Sequence, residues 1–309
     1  MASVEAAASK GAVLAKERNQ NTELPPPRGG EVARGEILQS ILEQPELLQV
    51  VKGVDAAAYP TFMLHGDLTP LWPAIYEVFP EYQLVLRNGG TGRHLAHGNM
   101  VPFFWTGTDN GLPRSATEMV HLALEHNRRG LRPTAVGALQ AVVNPADQGT
   151  GVSARMLQYM AGLATIRGHA SLFAPIRPNR KERYPLVPLA NYVRWTRADG
   201  LPYDPWHRVH VRLGATPAGV VSSWLSVTAS VNEWAEWTGL VFPESGEYLI
   251  PGGLVPLDVD VQDDVGCYIE PHLWMHYQLH PTPARVSPPA PPCRIPPLHL
   301  RNKLAEGEG

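Results

Sequence analysis

Cysteine is scarce in this chain. Cys267 and Cys293 are the two in 309 residues, and the second stands in a proline-rich tail, so neither a disulfide framework nor a zinc motif is available. A reduced, cytoplasmic setting fits that usage. Long apolar runs are also missing: none approaches the ~20 residues that span a bilayer. The N-terminus carries Glu5, Lys10, Lys16, Glu17 and Arg18 and lacks a secretory apolar core, so neither a signal peptide nor a membrane partner is expected. There is no basic excess. The formal net charge is −3, which argues against non-specific nucleic-acid binding. What is present is 44% apolar residues, enough for a sizeable core, in a chain long enough for one large domain or two small ones.

Three segments are expected. Residues 1–54 read as a tail, Ala-rich and then polar, followed by a helical arm. The tail ends in Pro25-Pro26-Pro27-Arg28-Gly29-Gly30; the arm spans 31–52, where Ile37, Leu38, Ile41, Leu42, Leu47, Leu48, Val50 and Val51 recur at helical spacing broken at Pro45. Such an arm offers a surface to pack on the domain or on a second subunit of a homodimer. Residues 55–280 read as a mixed α/β domain. Strands are expected over 82–87, 94–105, 134–143 and 170–176, with Pro102 implying an edge or a bulge. Ser115 and Glu118 open a helix that Gly130 stops, and a second helix over 153–167 is closed by Gly168. A short helix begins at Asp204-Pro205 and another spans 232–238; 224–228, 248–261 and 265–274 look extended. Residues 281–309, with Pro288-Pro289-Ala290-Pro291-Pro292, read as a proline-rich tail.

The segment Val142-Val143-Asn144-Pro145-Ala146-Asp147-Gln148-Gly149-Thr150-Gly151-Val152-Ser153 carries the functional information. A buried strand, a glycine-rich turn and a helix start follow one another. That order bares backbone N–H groups at the positive end of a helix dipole and suits a phosphate-rich ligand. Val152-Ser153 after Gly151 fails the Lys-Ser/Thr requirement of a nucleotide P-loop, and strand 170–176 supplies no acidic end for a dinucleotide fingerprint. A glycine-containing turn with no ligand is the plain alternative.

Gln148-Gly149-Thr150-Gly151-Val152-Ser153 resembles the acyl-CoA pyrophosphate loop of the GCN5-related N-acetyltransferase family, Q/R-x-x-G-x-G/A. Gln148 and Gly151 match it, and Ser153 stands at the last small position. Downstream, Arg212-Leu213-Gly214 resembles the family's K-L-G helix end, with His210 where a Tyr is usual. The resemblance covers roughly residues 59–230. It implies an α/β fold with a mixed, twisted sheet splayed between its fourth and fifth strands and flanked by helices, here with an extra N-terminal helix and a C-terminal extension.

The implied donor is acetyl-CoA or another acyl-CoA. Gln148, Gly149, Thr150, Gly151, Val152 and Ser153 would hold its pyrophosphate, and Val143 would pair with the pantetheine arm as an added strand. The implied proton donor to the departing thiolate is His210, with Tyr184 or Tyr192 in the irregular insert as substitutes. The Glu that some members carry eleven residues before the loop's Gln is replaced by Gly137, which leaves His97 as a candidate base. Arg177, Arg180, Lys181 and Arg183 would meet the CoA 3′-phosphate or form a solvated loop. Asp258, Asp260, Asp263 and Asp264 fit no calcium loop, so no metal is assigned. The implied activity is transfer of an acyl group, acetyl in the first instance, to an amine of a small metabolite. Two alternatives stay open. One is a carrier-protein-dependent acyltransferase or malonyl decarboxylase on the same fold. The other is a non-catalytic acyl-CoA sensor, which the missing acid on the fourth strand keeps open.

Overall fold

A computed structural model describes residues 35–108 and 111–280; the expected tails over 1–30 and 281–309 lie outside the described residues. The elements follow in order β1 (Glu36–Ser40), α1 (Leu47–Ala58), α2 (Trp72–Val78), β2 (Gln83–Asn88), β3 (His94–Phe103), α3 (Ala116–Arg128), β4 (Ala135–Val143), α4 (Val152–Ile166), β5 (Ser171–Ile176), α5 (Leu189–Tyr192), α6 (Pro205–Arg212), β6 (Thr216–Ala229), α7 (Val231–Thr238), β7 (Gly246–Tyr248), β8 (Leu257–Asp260) and β9 (Val265–Gln278). The strands form one mixed sheet in the order β1-β2-β3-β4-β5-β9-β8-β7, with β6 on the other edge of β9.

The first half of the arm corrects the sequence reading. Glu36–Ser40 is not helical but pairs antiparallel with β2, from Glu36↔Asn88 to Ser40↔Leu84. The helical spacing across 37–42 is accidental, because a neighbouring strand edge decided the backbone. Glu43 then closes a turn by accepting from the Ser40 amide and hydroxyl, and α1 begins beyond Pro45. Elsewhere the local signals hold. The Ser115 hydroxyl accepts from the Glu118 amide at the start of α3, and Asp204 caps α6 through the Trp206 and His207 amides. Pro102 sits in an interior strand, paired with Val136, but past the last β2 partner of β3, which is Asn99. Its missing N–H therefore breaks no ladder there.

The core lies between the sheet and its helices, with Met100, Phe103, Met119, Met156, Met160 and Phe173 fully buried. Two glycines let methionines lie on the strands. A Cβ at Gly98 would meet Met160 Sδ at 2.6 Å, and one at Gly137 would meet Met119 Sδ at 2.2 Å. The second contact is with the flexible end of Met119, so a side chain at position 137 would have to push it aside.

One edge of β9 is shared. β5 pairs with Leu273–Gln278 and β8 with Val265–Cys267, which leaves 268–272 without a strand on that side among the described residues. Arg177, just past β5, fills the break. Its Nε donates to Glu270 Oε1 (2.8 Å) and its guanidinium also binds the Gly252 carbonyl. Burial alone would raise the Glu270 carboxyl, but the Arg177 charge and hydrogen bonds involving His272 and Tyr268 hold it down to about 2. Lys181 is likewise interior, donating to the carbonyls of Tyr184 (2.8 Å), Pro185 (3.3 Å) and Leu254 (2.6 Å). Neither residue belongs to a solvated basic loop.

Three interior histidines make the fold acid-sensitive. Burial pushes the imidazolium pKa down to about 4 at His94, where His97 adds to the effect, and to about 4 at His169, and with help from His207 down to about 3 at His210. The unfolded chain takes up these protons near pH 6.5, the native chain only well below it. Stability is therefore full above pH 6.5 and falls as the pH drops toward 4, by about 1.4 kcal/mol per pH unit for each histidine. Urea denaturation between pH 7.5 and 4.5 will show this slope, and His169→Gln, which keeps a partner for the Tyr82 hydroxyl (2.8 Å in the parent), will flatten it. Arg177→Met will strand the Glu270 carboxylate and cost about 3–5 kcal/mol in the same measurement at pH 7.5.

Candidate functional site

The glycine turn is built from both ends. The Asn144 amide donates to the Leu95 carbonyl and its side-chain oxygen accepts from Ala146 N (3.1 Å), while Arg93 forms a bidentate pair with Asp147. These contacts fix the chain before the turn. Gly149 and Gly151 then adopt φ of +77° and +83°, a region in which a side chain would be strained. Gly151 caps α4 without any side-chain hydrogen bond, and the first amide of that helix to find a carbonyl is Arg155 N, on Gly151 O. The N–H groups of Gly149, Gly151, Val152, Ser153 and Ala154 have no acceptor among the described residues. Helix α4 thus presents its positive end bare.

Beside this turn the sheet opens. β4 and β5 run parallel and pair at only three positions, Ala135↔Ser171, Val136↔Leu172 and Gly137↔Phe173. Beyond Gly137 the strands part, while β3 still pairs with β4 up to Val143. A cavity of about 1190 Å³ occupies the gap. Its walls include 138–143 of β4, 174–176 of β5, Gln148, Gly149 and Ser153 of the turn, and Asp55, Tyr59 and Tyr76 from the helical side. Among the residues expected to hold the donor, Val143, Gln148, Gly149 and Ser153 are on the wall. Thr150 is tied back to the Asp147 carbonyl through its hydroxyl (2.6 Å), Gly151 forms the cap, and Val152 anchors the turn in the core.

The candidates for proton transfer are distributed differently from expectation. His97 is fully buried and does not reach the cavity wall. Its Nε2 lies 3.0 Å from Asp55 Oδ1, and Asp55, on α1, does line the cavity. Asp55 was missed in the sequence, although a signal existed: Leu47 and Val51 are the buried positions of α1, and Asp55 continues that stripe one turn on. Gln140, on the parted segment of β4, reaches Asp55 at 3.4 Å and donates to Asn99 Oδ1 at 2.9 Å. The Tyr59 and Tyr76 phenols are held above their usual range, first by burial and then by the Asp55 charge.

His210 stands on the cavity wall and is fully buried. Its Nδ1 is 2.7 Å from the Tyr277 hydroxyl, and its Nε2 has no partner among the described residues. With a pKa near 3 the ring is neutral at physiological pH, so it does not serve as an imidazolium acid. It retains one N–H to offer. Tyr184 is remote from the wall. It packs in an aromatic cluster with Tyr192, Trp195 and Tyr203, and its hydroxyl meets that of Tyr203 at 3.1 Å. Tyr192 is spent on Asp204 (2.9 Å). The insert's aromatic content reflects this packing.

No family model matches the chain. Among curated proteins, arginine N-acetyltransferase avaD of Aspergillus versicolor is 27% identical over 277 residues, covering 80% of this chain and 95% of the relative. Two solved structures share the fold at 16% identity. The loading GNATL domain of CurA from Lyngbya majuscula has a TM-score of 0.53 over 79% of this chain and 97% of its own. The GphF GNAT-like decarboxylase in complex with isobutyryl-CoA has a TM-score of 0.50 over 79% of this chain and 100% of its own. No described helix is long and apolar enough to cross a membrane. With its sheet parted after three β4–β5 pairs and its bare helix start behind a Gln-Gly-Thr-Gly turn, the chain shares the GNAT-like fold of these two structures and is similar over most of its length to an N-acetyltransferase.

Proposed function

We propose that this chain is an acyl-CoA-dependent N-acyltransferase that moves an acetyl group to the amine of a small cationic metabolite of the arginine type. One observation carries the reading. A single cavity runs from the unbonded amides of the glycine turn, across the parting of β4 and β5, to the carboxylate of Asp55. The donor's pyrophosphate fits the turn at Gln148, Gly149 and Ser153, where charge and geometry favour an anion. The pantetheine arm, with amide groups along its length, fits as an added strand on the free edge of β4 from Ala138 to Val143. The acyl carbon then lies where Gln140 and Asp55 come together, and the amine approaches from the α1 side.

Chemistry in the remainder of the cavity suits the acceptor. Asp55 and Glu182 supply negative charge, and the Asp147 carboxylate is already taken by Arg93. The relative is named for arginine, a cation. His210 acts here as a neutral donor. If the Tyr277 hydroxyl donates to Nδ1, the imidazole proton sits on Nε2, the nitrogen left free to meet a departing thiolate.

Two measurements test the reading. Acetyl-CoA at ~100 times its Kd will stabilise the protein by about 2.7 kcal/mol in thermal unfolding. Gly149→Trp, which puts an indole on the turn's cavity face, will erase that shift while lowering the ligand-free Tm only modestly. An equal shift in the variant removes the turn from the donor site. In a coupled thiol-release assay, arginine will be acetylated faster than an uncharged primary amine of similar length. Release of CO2 from malonyl-CoA with no amine acylated would instead favour the decarboxylase alternative.

A further inference from the structure

We propose that Asp55 is the base of this site, and that His97 and His94 are positioning residues that aim and hold it. The inference rests on the N-acyltransferase reading. Two buried histidines and a half-buried carboxylate from two distant segments meet here. His97 Nε2 lies 3.0 Å from Asp55 Oδ1, and His97 Nδ1 lies 3.2 Å from His94 Nε2. His97 and His94 are 0% and 5% exposed, whereas the Asp55 side chain keeps 19% of its surface open toward the cavity.

The proton positions follow from the geometry. A neutral imidazole has one donor and one acceptor nitrogen. Were the His97 proton on Nδ1, the bare Nε2 lone pair would face the Asp55 carboxylate at 3.0 Å, which is repulsive. The proton therefore sits on Nε2 and is donated to Asp55. His97 Nδ1 then accepts from His94 Nε2–H, and His94 Nδ1 is left as a bare lone pair, consistent with its having no partner. The chain of donation runs one way, from His94 through His97 to the carboxylate, and ends at the cavity wall. Gln140 adds a second donor at 3.4 Å to either carboxylate oxygen and ties the arrangement to the parted segment of β4.

The step balances simply. The acceptor's ammonium gives one proton to the free lone pairs of Asp55, and the neutral amine nitrogen attacks the thioester carbonyl. A C–N bond forms, the C–S bond breaks, the thiolate leaves with the second ammonium proton, and Asp55 returns its proton to solvent through the cavity mouth. The groups that face Asp55 are His97 from β3, Gln140 from β4, Tyr76 from α2, and Tyr59 and Lys52 on its own helix, the last three also on the cavity wall. β4 carries no acid between Ala135 and Val143, so the carboxylate comes from α1, which also lines the cavity.

The test is the pH dependence of acetyl transfer to arginine by the full chain and its variants, from pH 4.5 to 10. Asp55→Asn is expected to lower kcat ~10²–10⁴-fold at neutral pH. The deficit will shrink as the pH rises and the acceptor supplies its own free base. His97→Phe, which removes the donor to the charged carboxylate, is expected to move the acidic limb of kcat/KM to higher pH. His97→Gln, which restores a donor, will move it back; a merely structural role would lower the rate equally at every pH. Retention of the acetyl-CoA melting shift in each variant shows that the donor site is folded. A raised KM for arginine with unchanged kcat in Asp55→Asn would make Asp55 a charge-recognition residue and overturn the proposal, as would an unchanged profile. A parent chain that acylates no amine overturns the proposal together with the reading on which it rests.

Discussion

The site depends on a failure of pairing. β4 and β5 are parallel neighbours for three residues and then separate, so each carries backbone groups that no strand satisfies. Unsatisfied backbone is costly unless water or a ligand meets it. The parting is held open by structure on both sides. β3 keeps β4 straight up to Val143, while β5 is drawn away by six residue pairs with β9. The cavity is thus imposed by the sheet and does not depend on loop placement.

The two strands on either side of the gap end in different chemistry. β4 runs into a turn whose glycines take left-handed conformations and whose amides stay unbonded, a surface that attracts anions. β5 runs into Arg177, whose charge is consumed by the fully buried Glu270 and which closes the break along β9. One end is open and electropositive, the other neutralised and rigid.

Helix α1 supplies what the sheet lacks. Met119 fills the space over Gly137, so an acid on β4 at that position would cost the core a close contact. Asp55 on α1 meets Gln140 of β4 instead, and two interior histidines orient it. Burying that many polar groups is unfavourable unless each is hydrogen-bonded, and here the network extends through Gln140, Asn99 and Gln83. The arrangement links the fold's acid sensitivity to its function, since His94 is neutral in both.

The sequence by itself determined the elements whose signals are local. Caps at Ser115 and Asp204, the closing glycines at 130 and 168, and the strand–turn–helix at 135–166 were all legible, because capping, left-handed glycine and amphipathic spacing act within a few residues. The glycine turn at 148–151 was legible for the same reason. Tertiary structure alone decided the rest. β1 became a strand because β2 offered it an edge, and Tyr184 was drawn into an aromatic cluster by side chains up to 19 residues away. The pairing of Asp55 with His97 spans 42 residues, and that of His210 with Tyr277 spans 67. Neighbours so distant in the chain leave no periodicity to read. A charged residue continuing the apolar stripe of α1 hinted that something lay beneath it, but only the folded sheet could say what.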